Sequence, residues 1–589
     1  MQAVREPDIS QLLREYTEDL PKKINSPDEE KYLLLVKPLN FESTILFSPG
    51  VSIFKAIYGR GKTYGIGYYT VHYCERTKEC SAIYINVRRM HNIVSREVNS
   101  GSKIHEDILS LIKRSSTIRL DLELLYTILL AIDSRYKDIF EVGDVLLTTD
   151  ISHLDPQIIS EIKSEIMQIE DSEKLSRLFE VLVEKLILKS HISPKLILIL
   201  DEFEQLVPTQ LNQLQIVNNL LISLLTSLRS SKGGVLERYP NTFTLVLTIQ
   251  ELAYPSEAMR EFRRSAAPII GKIISSADDL SIPIKFSPYT SDSIKEYYEK
   301  ALELLAYKGF ITDDEKLKLE NISKCLSYYL SNLLKMPARL FFERLRAVIT
   351  DIVTTQKDQI LKTMGETTDG KICDRLENFF EDIRSKIAES GIYGLYISKE
   401  ISGINKDKIF SMLRKLAEEL DKNTSEEKFI SEVKANGYEG IVVLYPGTDK
   451  GATIILYKGR SVKLGETKYR QGFIKHYGDI LANNCGFAKG KKDNDCKILI
   501  VHPEEANIIG MFKIIYELQQ ISNIRISKKV IDVPLDRDEF ASLYIKSASS
   551  DSTDQFSLIS GDINYYEQRF KEVIERIKRQ IEKEVVAQK

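Results

Sequence analysis

The strongest constraint on this chain is a set of short apolar runs separated by stretches with helical spacing. They are 51–57 (VSIFKAI), 81–87 (SAIYINV), 195–200 (KLILIL), 243–249 (FTLVLTI) and 281–286 (SIPIKF). Apolar runs of this length read as strands buried on both faces, the pattern of a parallel sheet covered by helices. They define an α/β region over 46–288, with a mostly helical insertion at 89–194. Within the insertion, Leu175, Leu178, Phe179, Leu182 and Leu186 fall on one helix face. A helical segment precedes this region at 1–45, and an all-helical stretch follows at 289–385. Beyond lie a short helical unit (386–422), a second α/β region (423–560) and an amphipathic helix (561–589). A chain of 589 residues is too long for one core, so several domains are expected.

Two of the strands end in polar groups. After the first comes Gly59-Arg60-Gly61-Lys62-Thr63, followed by Tyr64. The glycines would let successive backbone N–H groups face a polyphosphate at the positive end of the next helix. Lys62 would neutralise phosphate oxygens, and the Thr63 hydroxyl would complete a Mg²⁺ shell. The full motif has a further glycine where this chain has Ala56, a difference of one methyl group. The third strand, in LILILDEFEQL, delivers Asp201 and Glu202 at its C-terminal end. Burying two carboxylates there is costly unless they have chemistry to perform. Asp201 is expected to hold Mg²⁺ through water, and Glu202 to orient and deprotonate an attacking water. The pair of motifs implies binding of ATP with Mg²⁺, and ATP hydrolysis.

In this order the motifs resemble those of AAA+ P-loop ATPases, specifically the origin-recognition or initiator type and related archaeal P-loop ATPases. The resemblance covers roughly residues 30–355 and implies an AAA+-like parallel sheet with a helical lid. TFTLVLTIQE is similar to the family's sensor strand, making Thr248 or Gln250 the polar group near the γ-phosphate. KMPARLFFERL is similar to the lid helix with a nucleotide-sensing arginine, here Arg339. Arg260, Arg263 and Arg264 in AMREFRRSAAP stand where a trans-acting arginine finger is expected. The family's self-association is implied with them. The long interval between Lys62 and Asp201 departs from compact members.

Residues 386–422 have a helix-turn-helix rhythm: a helix at 397–402, a Gly403 turn, Asn405 as N-cap, then a second helix. Ile409, Met412, Leu413 and Leu416 face inward on that second helix. The unit resembles a winged helix, which implies DNA-phosphate contacts from Lys406, Lys408, Arg414 and Lys415. A helical hairpin joining two domains has the same pattern, and Glu418 and Glu419 dilute the charge. Next come a helix (426–435), the strands YEGIVVLYP, GATIILYKG and SVKLGETKY, a helix (470–482) and the strand CKILIVHPE. This order resembles restriction-endonuclease-like nucleases, in which Glu466 and Lys468 would hold Mg²⁺ and stabilise the attacking water. The further acid such a site needs is Glu439 or Asp449. The last helix aligns Tyr566, Phe570, Ile574, Ile577, Ile581 and Val585, with Glu567–Lys571, Glu572–Arg576 and Glu575–Arg579 outside the stripe. It is expected to pack on its own chain.

Composition excludes little more. No run approaches the roughly 18 apolar residues of a membrane span, and residues 1–20 lack the apolar stretch of a secretory signal. A net charge of −3 leaves any nucleic-acid contact to a local basic face. The cysteines at 74, 80, 325, 373, 485 and 496 form no CxxC pair, so the expectation is neither zinc nor disulfides, in a reduced cytoplasmic compartment. The leading expectation is an ATP-driven switch that binds DNA through its C-terminal domains. An ATPase-regulated nuclease and a scaffold that grips only protein are the alternatives.

Overall fold

A computed structural model describes residues 8–24, 26–47, 50–56, 61–114, 119–141, 143–152, 154–168, 182, 185–186, 195–203, 242–250, 284–285, 289–365, 372–389, 406–420, 426–430, 439–445, 453–459, 471–472, 497–504, 506–521, 530–548 and 563–586. The chain divides into two compact units, Met1–Leu376 and Glu377–Lys589.

The first unit is built on a six-stranded mixed sheet. Its strands are β1 (Gly50–Ala56), β2 (Ser81–Asn86), β3 (Val145–Leu147), β4 (Leu196–Asp201), β5 (Phe243–Gln250) and β6 (Ile284–Lys285), in the order β3-β2-β4-β5-β1-β6. All neighbours are parallel except β3, which pairs antiparallel with β2 at one edge. Each of the five apolar runs contributes a strand, and β4 is buried along its whole length. β3 has three residues, too short for a periodic signal.

The order has a topological consequence. From β1 the chain runs to β2, beyond β5 and β4, whereas from β5 it runs to β6, on the far side of β1. Adjacent strands whose continuations leave in opposite directions open a crevice at their carboxyl ends, the usual ligand position in an α/β sheet. Ala56 and Gln250 lie opposite one another there.

Helices of the 87–167 insertion pack around Arg119–Ile132, whose residues 120–132 are all buried. That enclosure includes Asp121 and Glu123. Glu123 faces His91 Nδ1 at 2.9 Å and Arg119 Nε at 2.8 Å. Of the leucine stripe expected at 172–188, Leu182 and Leu186 are buried, and Leu175, Leu178 and Phe179 lie outside the described residues.

The N-terminal helices pack into the same unit. Helix Ile9–Glu18 starts at Asp8, whose carboxylate accepts the Ser10 N–H, and it buries Ile9, Leu12, Leu13 and Tyr16. It packs on helix Ala338–Asp351, where Arg346 reaches Glu18 at 2.9 Å. The Thr17 hydroxyl lies 2.7 Å from that of Tyr297 in helix Ser291–Tyr307, and the Tyr32 and Tyr307 rings stack at 4.0 Å.

The second unit has a five-stranded sheet of β7 (Glu426–Ile430), β8 (Glu439–Tyr445), β9 (Thr453–Lys458), β10 (Lys497–Pro503) and β11 (Val530–Leu535), in the order β11-β10-β9-β8-β7. β9, β10 and β11 are parallel, and β8 is antiparallel to both neighbours. The helix expected at 426–435 is corrected: 426–430 is a strand paired with β8. Its charged start, Glu426-Glu427-Lys428, reads equally well at helical spacing, and pairing with an apolar neighbour strand overrides that local signal.

Helix Ile563–Val586 buries Tyr566, Phe570, Ile574 and Ile577 on its own chain, against helix Arg537–Ala548. Two of the ion pairs expected along it are replaced by pairs across helices. Arg576 reaches Glu539 at 2.8 Å and Glu567 takes Lys546 at 3.1 Å, while Glu572 takes Arg569 at 3.1 Å. Glu539 is buried, and a buried carboxylate draws cations from any neighbouring element.

The expectation of no disulfides is also overturned. Cys74 pairs with Cys80, and Cys325 with Cys373. The first closes the turn between a helix end and β2, and the second joins residues 48 apart, pairings that no CxxC spacing announces.

The bond between Cys325 and Cys373 spans 48 residues, and chain-entropy reasoning assigns such a loop about 4 kcal/mol. Cys325→Ser should lower unfolding free energy by about that amount in denaturant titration. A change within error would show that the bond adds no constraint. The second expectation concerns pH. Glu123 holds the His91 pKa above its ordinary value, against burial. A raised folded pKa stabilises fully below the unfolded value, and the contribution fades as pH rises through the folded one. The stability deficit of His91→Gln should therefore be largest near about pH 6 and shrink toward about pH 8; a deficit growing with pH would contradict this.

Candidate functional site

The site forms at the carboxyl ends of β1, β4 and β5. Asp201, the last residue of β4, has no solvent exposure. Thr63 Oγ1 donates to its Oδ2 at 2.5 Å across 138 residues of sequence, and Tyr84 Oη donates to the same oxygen at 2.9 Å. Thr248 Oγ1 donates to Oδ1 and accepts the Glu202 N–H at 3.1 Å. Three hydroxyls from three elements therefore surround one carboxylate. Hydrogen bonds to a charged group are each worth about 1.5–3 kcal/mol, enough to retain a carboxylate in an apolar sheet.

Local sequence explains the convergence. Gly61 has φ +81°, and a Cβ there would overlap the Tyr289 hydroxyl and lie 3.0 Å from the Ala338 Cβ. Only glycine fits. Thr63 then begins a helical stretch that runs through Thr77. At Gly67 that stretch crosses the Tyr84 ring, where a Cβ would lie 2.5 Å from Cε2. The crossing lets the phenol reach Asp201. Burial and the Asp201 charge push the Tyr84 pKa well above its ordinary value, so its proton stays in place as a donor. Tyr68, edge-on to Tyr84 at 5.5 Å, is pushed up to about 12 by burial and then by Asp201.

Glu202 follows with φ 57°, left-handed backbone that costs a residue with a Cβ about 1–2 kcal/mol. Its side chain is partly exposed, in contrast to Asp201. Strain of this kind persists only where surrounding structure enforces it, and the Thr248 hydroxyl does so through the Glu202 N–H.

Of the expected site residues, Lys62, Thr63, Asp201, Glu202 and Thr248 come together in this region. Lys62 is buried at the head of the helical stretch. Gln250 lies opposite Ala56 at the crevice. The Tyr64 side chain points elsewhere: its hydroxyl donates to the Leu34 carbonyl and its ring packs on Phe342 at 4.7 Å. It turns toward the N-terminal segment because that segment supplies an acceptor and an apolar face. Arg339 is exposed, one residue beyond the Ala338 that meets Gly61, at the amino end of a helix that no side chain caps.

Gly59, Arg60, Arg260, Arg263, Arg264, Asp449, Glu466 and Lys468 lie outside the described residues, as does the helix expected at 397–402. Glu439 opens β8 opposite Lys458. Lys406 and Lys408 lie on the first turn of helix Lys406–Leu420, which buries Ile409, Met412, Leu413 and Leu416. Further along it, Arg414 and Lys415 both pair with Glu418, at 3.3 and 3.0 Å. Sequence reasoning missed Tyr84 and Tyr289. The available signal was a phenol within or beside an apolar run, since a buried tyrosine hydroxyl usually requires a partner.

Comparison with known proteins adds no constraint: no protein-family model, curated protein or solved structure matches the chain.

Thr248→Val would leave Asp201 Oδ1 and the Glu202 N–H without this hydroxyl. Unfolding free energy should fall by about 2 kcal/mol in denaturant titration. An unchanged midpoint would mean that Thr248 does not hold the pair.

Proposed function

We propose that the chain is a Mg²⁺-dependent ATPase of the AAA+ type, working as a nucleotide-driven switch. The observation that carries the reading is the 2.5 Å hydrogen bond from Thr63 to Asp201, which joins the GxGKT segment to the acidic strand end. The crevice between β1 and β5, and the backbone of Gly61 that excludes any Cβ, support it further.

The donor set suits the metal. A hydroxyl and a carboxylate are the hard oxygen ligands that Mg²⁺ takes alongside water and phosphate. Thr63 and Asp201 would hold it, Asp201 through water, and the ion would supply charge neutralisation at the phosphate oxygens. With the metal held, the Thr63 hydroxyl would serve as its ligand in place of donating to Asp201, while Tyr84 and Thr248 would keep the carboxylate in place. Lys62 neutralises phosphate charge, and backbone N–H groups at the head of the helical stretch face the anion. Glu202, partly exposed and held by its strained backbone, orients a water and accepts its proton.

The output falls to the elements touching the loop. Helix Ala338–Asp351 begins against Gly61, so occupancy of the loop bears directly on that helix. Arg339 at its start is the residue proposed to read the γ-phosphate. DNA remains the partner proposed for helix Lys406–Leu420, although Glu418 balances part of its charge. Salt-dependent DNA binding, weakened by reversing Lys406, Lys408 and Arg414, would separate this from a switch that engages protein alone.

Lys62→Ala should abolish ATP binding in calorimetry. Glu202→Gln should bind ATP normally while turnover falls by about 10²–10⁴-fold, the range for loss of a general base. Wild-type turnover in both variants would remove the assignment.

A further inference from the structure

We propose that the Tyr289 hydroxyl donates a hydrogen bond to the phosphate chain of a nucleotide held at Gly61–Thr63, tying helix Ala338–Asp351 to the occupancy of the loop. The inference rests on the ATP reading and adds a phosphate contact from outside the sheet.

Tyr289 is 8% exposed, and its hydroxyl has no hydrogen-bond partner among the described residues. A buried hydroxyl without a partner carries its full desolvation cost, which a fold tolerates where a ligand supplies the acceptor. The hydroxyl lies against Gly61, on the side where a Cβ would overlap it, so it faces the loop backbone directly.

Its direction is held firmly. The ring stacks on Phe341 at 5.1 Å and 12°, and meets Phe342 edge-on at 5.1 Å. Both phenylalanines belong to the helix whose first residue, Ala338, touches the same glycine. The Phe342 ring also packs on Tyr64 at 4.7 Å and Tyr297 at 5.2 Å. Burial pushes the Tyr289 pKa up, so the group is a donor, the polarity a phosphate oxygen requires. A pre-aimed donor avoids the ordering cost of fixing a flexible side chain on binding.

The test compares full-length wild type with Tyr289→Phe, which removes one oxygen and keeps the ring. Affinities for ATP and for tripolyphosphate are measured with Mg²⁺ by calorimetry, alongside the ligand-free melting temperature. The expected result is an unchanged or higher melting temperature, since an unpartnered buried group has been deleted. Both affinities should weaken by roughly tenfold, as for a hydrogen bond to a charged acceptor. Equal affinities in wild type and variant overturn the proposal while leaving the ATP reading intact. Weaker ATP binding with unchanged tripolyphosphate binding overturns the phosphate assignment and places the hydroxyl on sugar or base. A lower melting temperature with unchanged affinities assigns the hydroxyl to the fold alone and overturns it as well. If wild type binds neither probe, the ATP reading itself falls.

Discussion

A single buried carboxylate organises the first unit. Asp201 ends a strand with apolar side chains along its length, and an ionised group there is unfavourable unless its oxygens are satisfied. Satisfaction comes from Thr63, Tyr84 and Thr248, on the helical stretch after β1, on β2 and on β5. The charge that would destabilise an isolated strand thus draws separate elements to one point. Any loosening of β1, β2 or β5 uncovers part of that carboxylate, so the local geometry is stiff where the proposed chemistry needs it to be.

The elements around this point form a second layer of coupling, aromatic in place of ionic. Tyr64 leaves the crevice to bond the Leu34 carbonyl and pack on Phe342, and Phe342 meets Tyr289 and Tyr297. Tyr297 in turn touches Thr17 of the first helix. Close packing of these rings leaves little room for one to shift without its neighbours. The N-terminal helices are therefore packed onto the same body as the loop, through contacts their position in the chain does not suggest.

Much of this was legible from the residues. The apolar runs at 51–57, 81–87, 195–200 and 243–249 correspond to strands β1, β2, β4 and β5, since continuous apolar runs of strand length leave a clear signal. The meeting of Thr63 with Asp201 was readable too, because one follows the loop after β1 and the other ends β4, both at the carboxyl edge where a sheet concentrates polar groups. β3 was too short to show periodicity, and β7 carries charges that mimic a helix face. Partners made by packing were beyond the sequence: Cys74 with Cys80, Arg576 with Glu539, and Tyr84 and Tyr289 with the site. Each depends on which surfaces meet, and one-dimensional spacing contains no term for that.

The left-handed backbone at Glu202 has an implication for engineering this chain. Glycine is the residue that accepts such a conformation without strain, so Glu202→Gly relieves a cost the native chain carries. A screen scored on heat resistance alone would therefore favour losing this carboxylate. If Glu202 is the proposed base, robustness and turnover pull in opposite directions at this position.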